Sequence, residues 1–437
     1  MIPKIRAVAI DDEQEHLTYI VEAAKQLGIG CLPMLYPTAT QDMPTHLFGS
    51  IRLVICDLHL EPGAALSNNG QQYQLIAAQL LAMKLSEFTP YALILWTSFP
   101  AECEALKAII STRLQVEKRP MIVAALDKTK YGFGSGSGAI NTTTLWQDLQ
   151  GKIRESRGLN ALLQWENEVL TASDNTVRKL VEIGRGRAKP AQLPLDDELD
   201  WLLSLIAVEA TSKKTATEHP RHAVCEGLHS LLLDELQHLE EGADARATWT
   251  AALSKRTQSK KQFAVEIREA AQLNDALLIS LTQATGATRG AVLECWLDAG
   301  GFENCFGLKP LDVWAKMGFN GTYDSAAVLW RFIQLEGDCD AVQNKPGVIP
   351  FVLAAEVDAS VALSDSPPQS IVESPVFSVG DDSRRLVVAF RFFVTLAKAE
   401  ATTRPAKYRL REPLANWIAT QWASYLNRPG YVWFSAK

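Results

Sequence analysis

Five short, nearly continuous apolar runs punctuate the N-terminal part of the chain: Ala7–Ile10, Cys31–Tyr36, Leu53–Cys56, Tyr91–Trp96 and Met121–Leu126. Runs this short and this apolar suit strands buried on both faces rather than one. Between them lie longer segments with helical spacing, Leu17–Leu27, Gln71–Leu85 and Ala101–Leu114, and a further helix is expected at Thr144–Arg154. The alternation predicts an α/β domain: a five-stranded, doubly wound parallel sheet covered by helices. In such a sheet, ligands bind outside the carboxyl ends of the strands.

The pattern changes further along. Tyr131-Gly-Phe-Gly-Ser-Gly-Ser-Gly138 reads as a flexible connection, and the first domain is expected to span 1–155. A helical region should follow over 156–285, with helices at Asp197–Val208, His222–Leu239 and Gln262–Leu281. After Gly286, tryptophans, glycines and apolar runs such as Val348–Val357 and Leu386–Leu396 predict an α+β C-terminal module, 286–437. Leu410–Leu426 has helical spacing at 410, 414, 418 and 422, and Tyr431–Phe434 is expected as a last strand. The length of 437 residues agrees with two or three domains.

Composition narrows the function. A formal charge of −7 gives no basic footprint for nucleic acid, which is not expected as a partner. The local run Lys255, Arg256, Lys260 and Lys261 reads as a solvated face, and so does the basic and aromatic tail from Tyr408 to Gly430. The seven cysteines form no CxxC pair, so neither a disulfide framework nor a zinc knuckle is indicated. His219, His222, His229 and His238 lack the spacing of a tight metal set and read as exposed helix histidines. No signal peptide and no apolar stretch of about 20 residues is present, so no membrane partner is expected and the cytoplasm is the expected location.

The chemistry gathers at the predicted strand ends. Strand one ends in Ile10-Asp11-Asp12, strand three in Cys56-Asp57, strand four in Trp96-Thr97, and strand five in Asp127-Lys128. Three carboxylates meeting at one rim would repel one another. A hard divalent cation such as Mg²⁺ relieves that repulsion through oxygen ligands. Lys128 and Thr97 then offer donors to an incoming anion, and Asp57 becomes a nucleophile toward a phosphoryl donor.

The set Asp11-Asp12, Asp57, Thr97 and Lys128, in this order and strand context, resembles bacterial response-regulator receiver domains over about residues 5–155. The resemblance implies a flavodoxin-like fold and a phosphoprotein of two-component signalling, with Asp57 as the phosphoacceptor. It implies Mg²⁺ bound by Asp12, Asp57 and the backbone carbonyl of His59, with Asp11 beside them. It also implies that Thr97 turns toward the phosphoryl group and that Lys128 pairs with it. The phosphodonor would be a partner histidine kinase. With no recognisable DNA-binding output, the implied output is a partner effector protein or phosphate buffering. Receivers of this kind resemble components of bacterial anti-phage phosphorelays, and a homodimer is compatible with them.

The chain departs from the family at three places. Thr129 stands where a proline usually follows the lysine, Ala125 stands where an aromatic switch is often found, and the loop Leu58–Asn69 is long. Other readings stay open. One is a receiver-gated hydrolase or nuclease using Cys339, Asp340, Glu356 or Asp358. Another is a scaffold that is never phosphorylated, and a third is a transcription regulator.

Overall fold

The computed structural model describes residues 6–25, 29–36, 51–60, 73–74, 76–78, 80, 85–131, 142–187, 196–257, 265–337, 340–341, 347–380 and 382–427. The chain divides into two compact units, one formed by Met1–Ser173 with His238–Ser259, the other by Asp174–Gln237 with Lys260–Lys437.

The first unit holds the expected parallel sheet. Its strands are β1 (Ala7–Asp11), β2 (Cys31–Leu35), β3 (Leu53–Asp57), β4 (Ala92–Thr97) and β5 (Ile122–Asp127). Their order is β2-β1-β3-β4-β5, and every pairing is parallel. The central strands β1, β3 and β4 are buried at every position, whereas the edge strands are only partly covered. Side chains alternate between two apolar layers, as the pleat requires. Ile10, Val54, Cys56, Leu93 and Leu95 face one layer with Leu106 and Ile110 of the helix Cys103–Arg113. Ala9, Ile55, Ile94 and Trp96 face the other, with Leu17 and Ile20 of α1 (Gln14–Lys25) and Leu145, Trp146 and Leu149 of the helix Thr142–Glu155.

The helix Arg157–Arg187 also enters this second layer through Leu159. Its Glu166 carboxylate accepts from Arg52 Nη2 at 2.7 Å and from Arg6 Nη1 at 2.8 Å. Both arginines precede strands, so this helix is tied to the amino ends of the sheet. The carboxyl ends are left to form the rim.

The second unit contains the helices Asp196–Ala210, Lys213–Glu218 and Pro220–Gln237. Gly227 lets two of them approach closely, since a Cβ there would sit 2.3 Å from Ile206 Cγ2. Beyond them lies an antiparallel sheet, as the α+β expectation has it. Among the described residues its order is β10-β12-β9-β8-β7-β13-β6, with β11 paired to β12. These strands are β6 (Ile279–Ser280), β7 (Ala291–Glu294), β8 (Leu329–Gln334), β9 (Val348–Asp358), β10 (Ile371–Glu373), β11 (Phe377–Val379), β12 (Asp382–Ala397) and β13 (Tyr408–Leu410). One face packs on Phe302, Val313 and Trp314 from two short helices, and the other on Leu414 and Ile418 of the helix Glu412–Leu426.

Two expected helices are shorter than their spacing suggested. The helix expected over Gln262–Leu281 spans Ile267–Leu278 among the described residues, and Ile279 begins β6, where it pairs with Leu410. Leu410 therefore belongs to β13 rather than to the last helix. That helix starts at Glu412, with Pro413 in its first turn, where a missing N–H costs nothing. The strand expected at Tyr431–Phe434, the glycine-rich segment after Tyr131, and most of the loop Leu58–Asn69 lie outside the described residues.

Candidate functional site at the rim of the parallel sheet

Parallel pairing in near-perfect register brings the ends of β1, β3, β4 and β5 together. Asp11 closes β1, Asp57 closes β3, and Thr97 closes β4. Lys128 opens a 3₁₀ turn, Lys128–Tyr131, directly after β5. All four side chains are buried. Lys128 Nζ donates to Asp57 Oδ2 at 2.8 Å and to Asp11 Oδ2 at 3.3 Å. Residues 71 and 117 positions from Lys128 in sequence therefore share one ammonium group.

The charges do not balance. Burial pushes the Asp57 carboxyl up against the opposing pull of Lys128, and the charge of Asp11 adds to the rise. Asp12, half-buried just past β1, is pushed up to about 6, first by burial and then by the charges of Asp57 and Asp11. Burial acts on Asp11 in the same direction. There it is outweighed by the His16 hydrogen bond, by Lys128 and by the Glu13 N–H donating at 2.9 Å, so Asp11 stays below the usual carboxylate range. Lys128 thus serves two carboxylates while the charge of Asp12 crowds them.

His16 was not among the residues read from the sequence. It lies in the first turns of α1, with Nδ1 3.2 Å from Asp11 Oδ1 and 3.2 Å from Lys128 Nζ. The hydrogen bond to Asp11 raises its pKa. Asp11, His16 and Asp57 each offer an atom within 4.8 Å of the others, the arrangement of a group that can hold a metal ion. A histidine one turn into the helix after an acidic pair was the available signal, because helix position alone turns it back toward the strand end.

The remaining expected residues lie around Asp57. The Thr97 hydroxyl accepts the Phe99 N–H at 3.0 Å. The His59 N–H donates to Asp57 Oδ1 at 3.3 Å, so the backbone curls around the carboxylate at the position whose carbonyl was expected near a metal. The departure at Thr129 has a local cause. Its N–H and hydroxyl both bond Asp127 Oδ1, at 3.0 and 2.7 Å, and proline could supply neither.

Outside the rim, Glu356 and Asp358 have partners of their own. Glu356 is fully buried against Arg331 and Tyr408, and Asp358 accepts the Ser360 N–H at 2.9 Å. Cys339 lies outside the described residues, and Asp340 is half-buried. His222 sits 3.6 Å from Glu226 of its own helix, and no described helix is long and apolar enough to cross a membrane.

A five-stranded parallel sheet with Asp11 and Asp57 gathered at one rim is a receiver-like arrangement. No family model matches the chain, and no curated protein matches it.

Proposed function

We propose that the N-terminal sheet is a receiver whose Asp57 accepts a phosphoryl group from a partner histidine kinase. The observation that carries this reading is the convergence of Asp57, Asp11 and Lys128 at one rim, with Lys128 Nζ 2.8 Å from the Asp57 carboxylate. The Asp57 oxygen attacks phosphorus, and the donor leaves with its electron pair. Lys128 moves its ion pair from the carboxylate to the phosphoryl oxygens, and the Thr97 hydroxyl turns to donate to them.

The donor set fits a divalent cation. Burial first, and then the charges of Asp57 and Asp11, raise Asp12 to about 6, and a cation among these oxygens would relieve the repulsion. Asp12, Asp57 and the His59 carbonyl would hold Mg²⁺, with Asp11 and His16 beside them. When bound, the ion neutralises charge on the transferring group. Output through a partner protein, rather than DNA, agrees with the charge of −7.

The test is incubation with acetyl phosphate, with and without Mg²⁺, followed by intact mass. Wild type should gain one phosphoryl group only with Mg²⁺, and Asp57→Ala should gain none. A scaffold that is never phosphorylated would show no gain in any condition and no beryllofluoride binding.

A further inference from the structure

The antiparallel sheet leaves half of one strand uncovered. β12 pairs with β9 on one side, and its other side is taken by β11 at Asp382–Arg384 and by β10 at Val387–Ala389. The Phe390 N–H ends that coverage, donating to the Ser370 carbonyl at 2.8 Å. A bulge then shifts the register between Ala389 and Phe393. Beyond it, no described strand pairs with the outer side of Phe393–Ala397.

The new register decides which backbone groups that side presents. Thr395 lies opposite Pro350, whose carbonyl turns away to accept the Leu335 N–H at 3.2 Å. The Lys398 N–H, three residues on, donates toward β9 to the Gly347 carbonyl at 3.0 Å. Hydrogen-bonding direction alternates along a strand, so Phe393, Thr395 and Ala397 aim their N–H and C=O groups at the open side. Their side chains are exposed as well, Phe393 at 45%. The Trp422 ring meets Phe393 edge-on at 5.8 Å and holds it in place. Val394 and Leu396 pack against the core instead. Neither proline nor a charged side chain, the usual guards of an open edge, stands between 393 and 397.

Such an edge is complementary to itself. A two-fold axis through Thr395 sets Thr395 opposite Thr395, and Phe393 opposite Ala397 twice. Every outward N–H and C=O of these three residues then finds a partner. A large ring faces a small side chain, two threonines meet at the axis, and no like charges oppose one another. We propose that the outer edge of β12 is the docking surface for a second copy of this chain, joining two antiparallel sheets into one. The pairing uses up both edges, so assembly stops at two copies. It stands independently of the chemistry at Asp57.

The experiment is sedimentation of the full chain over a concentration series, with amide exchange followed at 393–397. Wild type should form a dimer as concentration rises, and exchange at Phe393, Thr395 and Ala397 should slow in step. Thr395→Lys and Thr395→Glu each set like charges face to face at the axis and should weaken the dimer about tenfold. Mixing the two variants should restore it as a heterodimer, which misfolded chains could not do. A wild type that stays monomeric at every concentration overturns the proposal. Protected amides in that monomer would mean that another segment of the same chain covers the edge, and unprotected ones would leave it to a different protein. Dimers as strong in both variants as in wild type, or a mixture that fails to pair, overturn it equally.

Discussion

The parallel and the antiparallel sheet each bury a carboxylate against a cation, at nearly the same distance. Lys128 Nζ lies 2.8 Å from Asp57, and Arg331 Nε lies 2.7 Å from Glu356. Their surroundings differ. Glu356 meets one arginine and one phenol, Tyr408, whose hydroxyl donates at 3.0 Å and whose pKa is pushed well up by burial and then by Glu356. Its charge is matched by one arginine through Oε2, and the group is fully buried, its Oε1 without a hydrogen-bond partner among the described residues. At the rim, one lysine serves Asp11 and Asp57 while Asp12 adds further charge. A matched pair holds a fold together. An unmatched one, at the end of strands where ligands bind, stores a demand for a cation and an anion from outside.

That contrast can be broken most forcefully in the matched pair. Arg331→Ala leaves the buried Glu356 carboxylate without a cation, held only by the Tyr408 hydroxyl, and should cost about 3–5 kcal/mol, read as a lower denaturant midpoint for the transition of the antiparallel sheet. Replacing the trio with Met, Leu and Phe at 331, 356 and 408 should recover most of the loss. A cost under about 1 kcal/mol for Arg331→Ala would mean that the pair is not the isolated buried pair of that rule.

At the rim, Lys128→Gln should cost about 2 kcal/mol, less than a closed buried pair because Asp57 keeps some contact with solvent. Here the rescue differs in kind. Asp57→Asn in the same chain, or added Mg²⁺, should restore stability by removing excess charge rather than by refilling a core. Failure of both rescues would make Lys128 an ordinary packing residue.

The smallest effect concerns pH. Asp12 has its pKa raised from 3.8 to about 6, so the folded state binds more protons than the unfolded one between those values. Its contribution is therefore most favourable below pH 3.8 and declines as pH rises through about 6. Without divalent cations, Asp12→Asn should match wild type near pH 4 and exceed it by about 1 kcal/mol at pH 7, after allowing for solvent screening. An Asp12→Asn gain that is the same at both pH values would argue against charge crowding.

The sequence disclosed these two regions unequally. Strands β1, β3 and β4 announce themselves because burial on both faces demands unbroken apolar runs, and their ends then place Asp11, Asp57 and Thr97 without further information. Long antiparallel strands were equally legible, and Val348–Asp358 and Asp382–Ala397 contain the runs expected there. The strands Ile279–Ser280 and Tyr408–Leu410 were not, because two or three residues carry no period and their pairing depends on partners over 120 positions away. The same limit hid the hydrogen-bonded set of His59, Glu102 and Tyr73. Glu102, on a turn, lies 43 positions from His59, just past β3, and 29 from Tyr73, on a separate segment, and only the folded sheet brings them together.

The central claim is that Asp57 carries the phosphoryl group, and borohydride trapping tests it most directly. The protein is loaded with acetyl phosphate and Mg²⁺ and reduced, which converts an acyl phosphate to a homoserine that peptide mass spectrometry can locate. The account predicts homoserine at position 57 and nowhere else, lost when Mg²⁺ is withheld. Homoserine at position 11 or 12, or none at all in a sample that binds beryllofluoride, would contradict it.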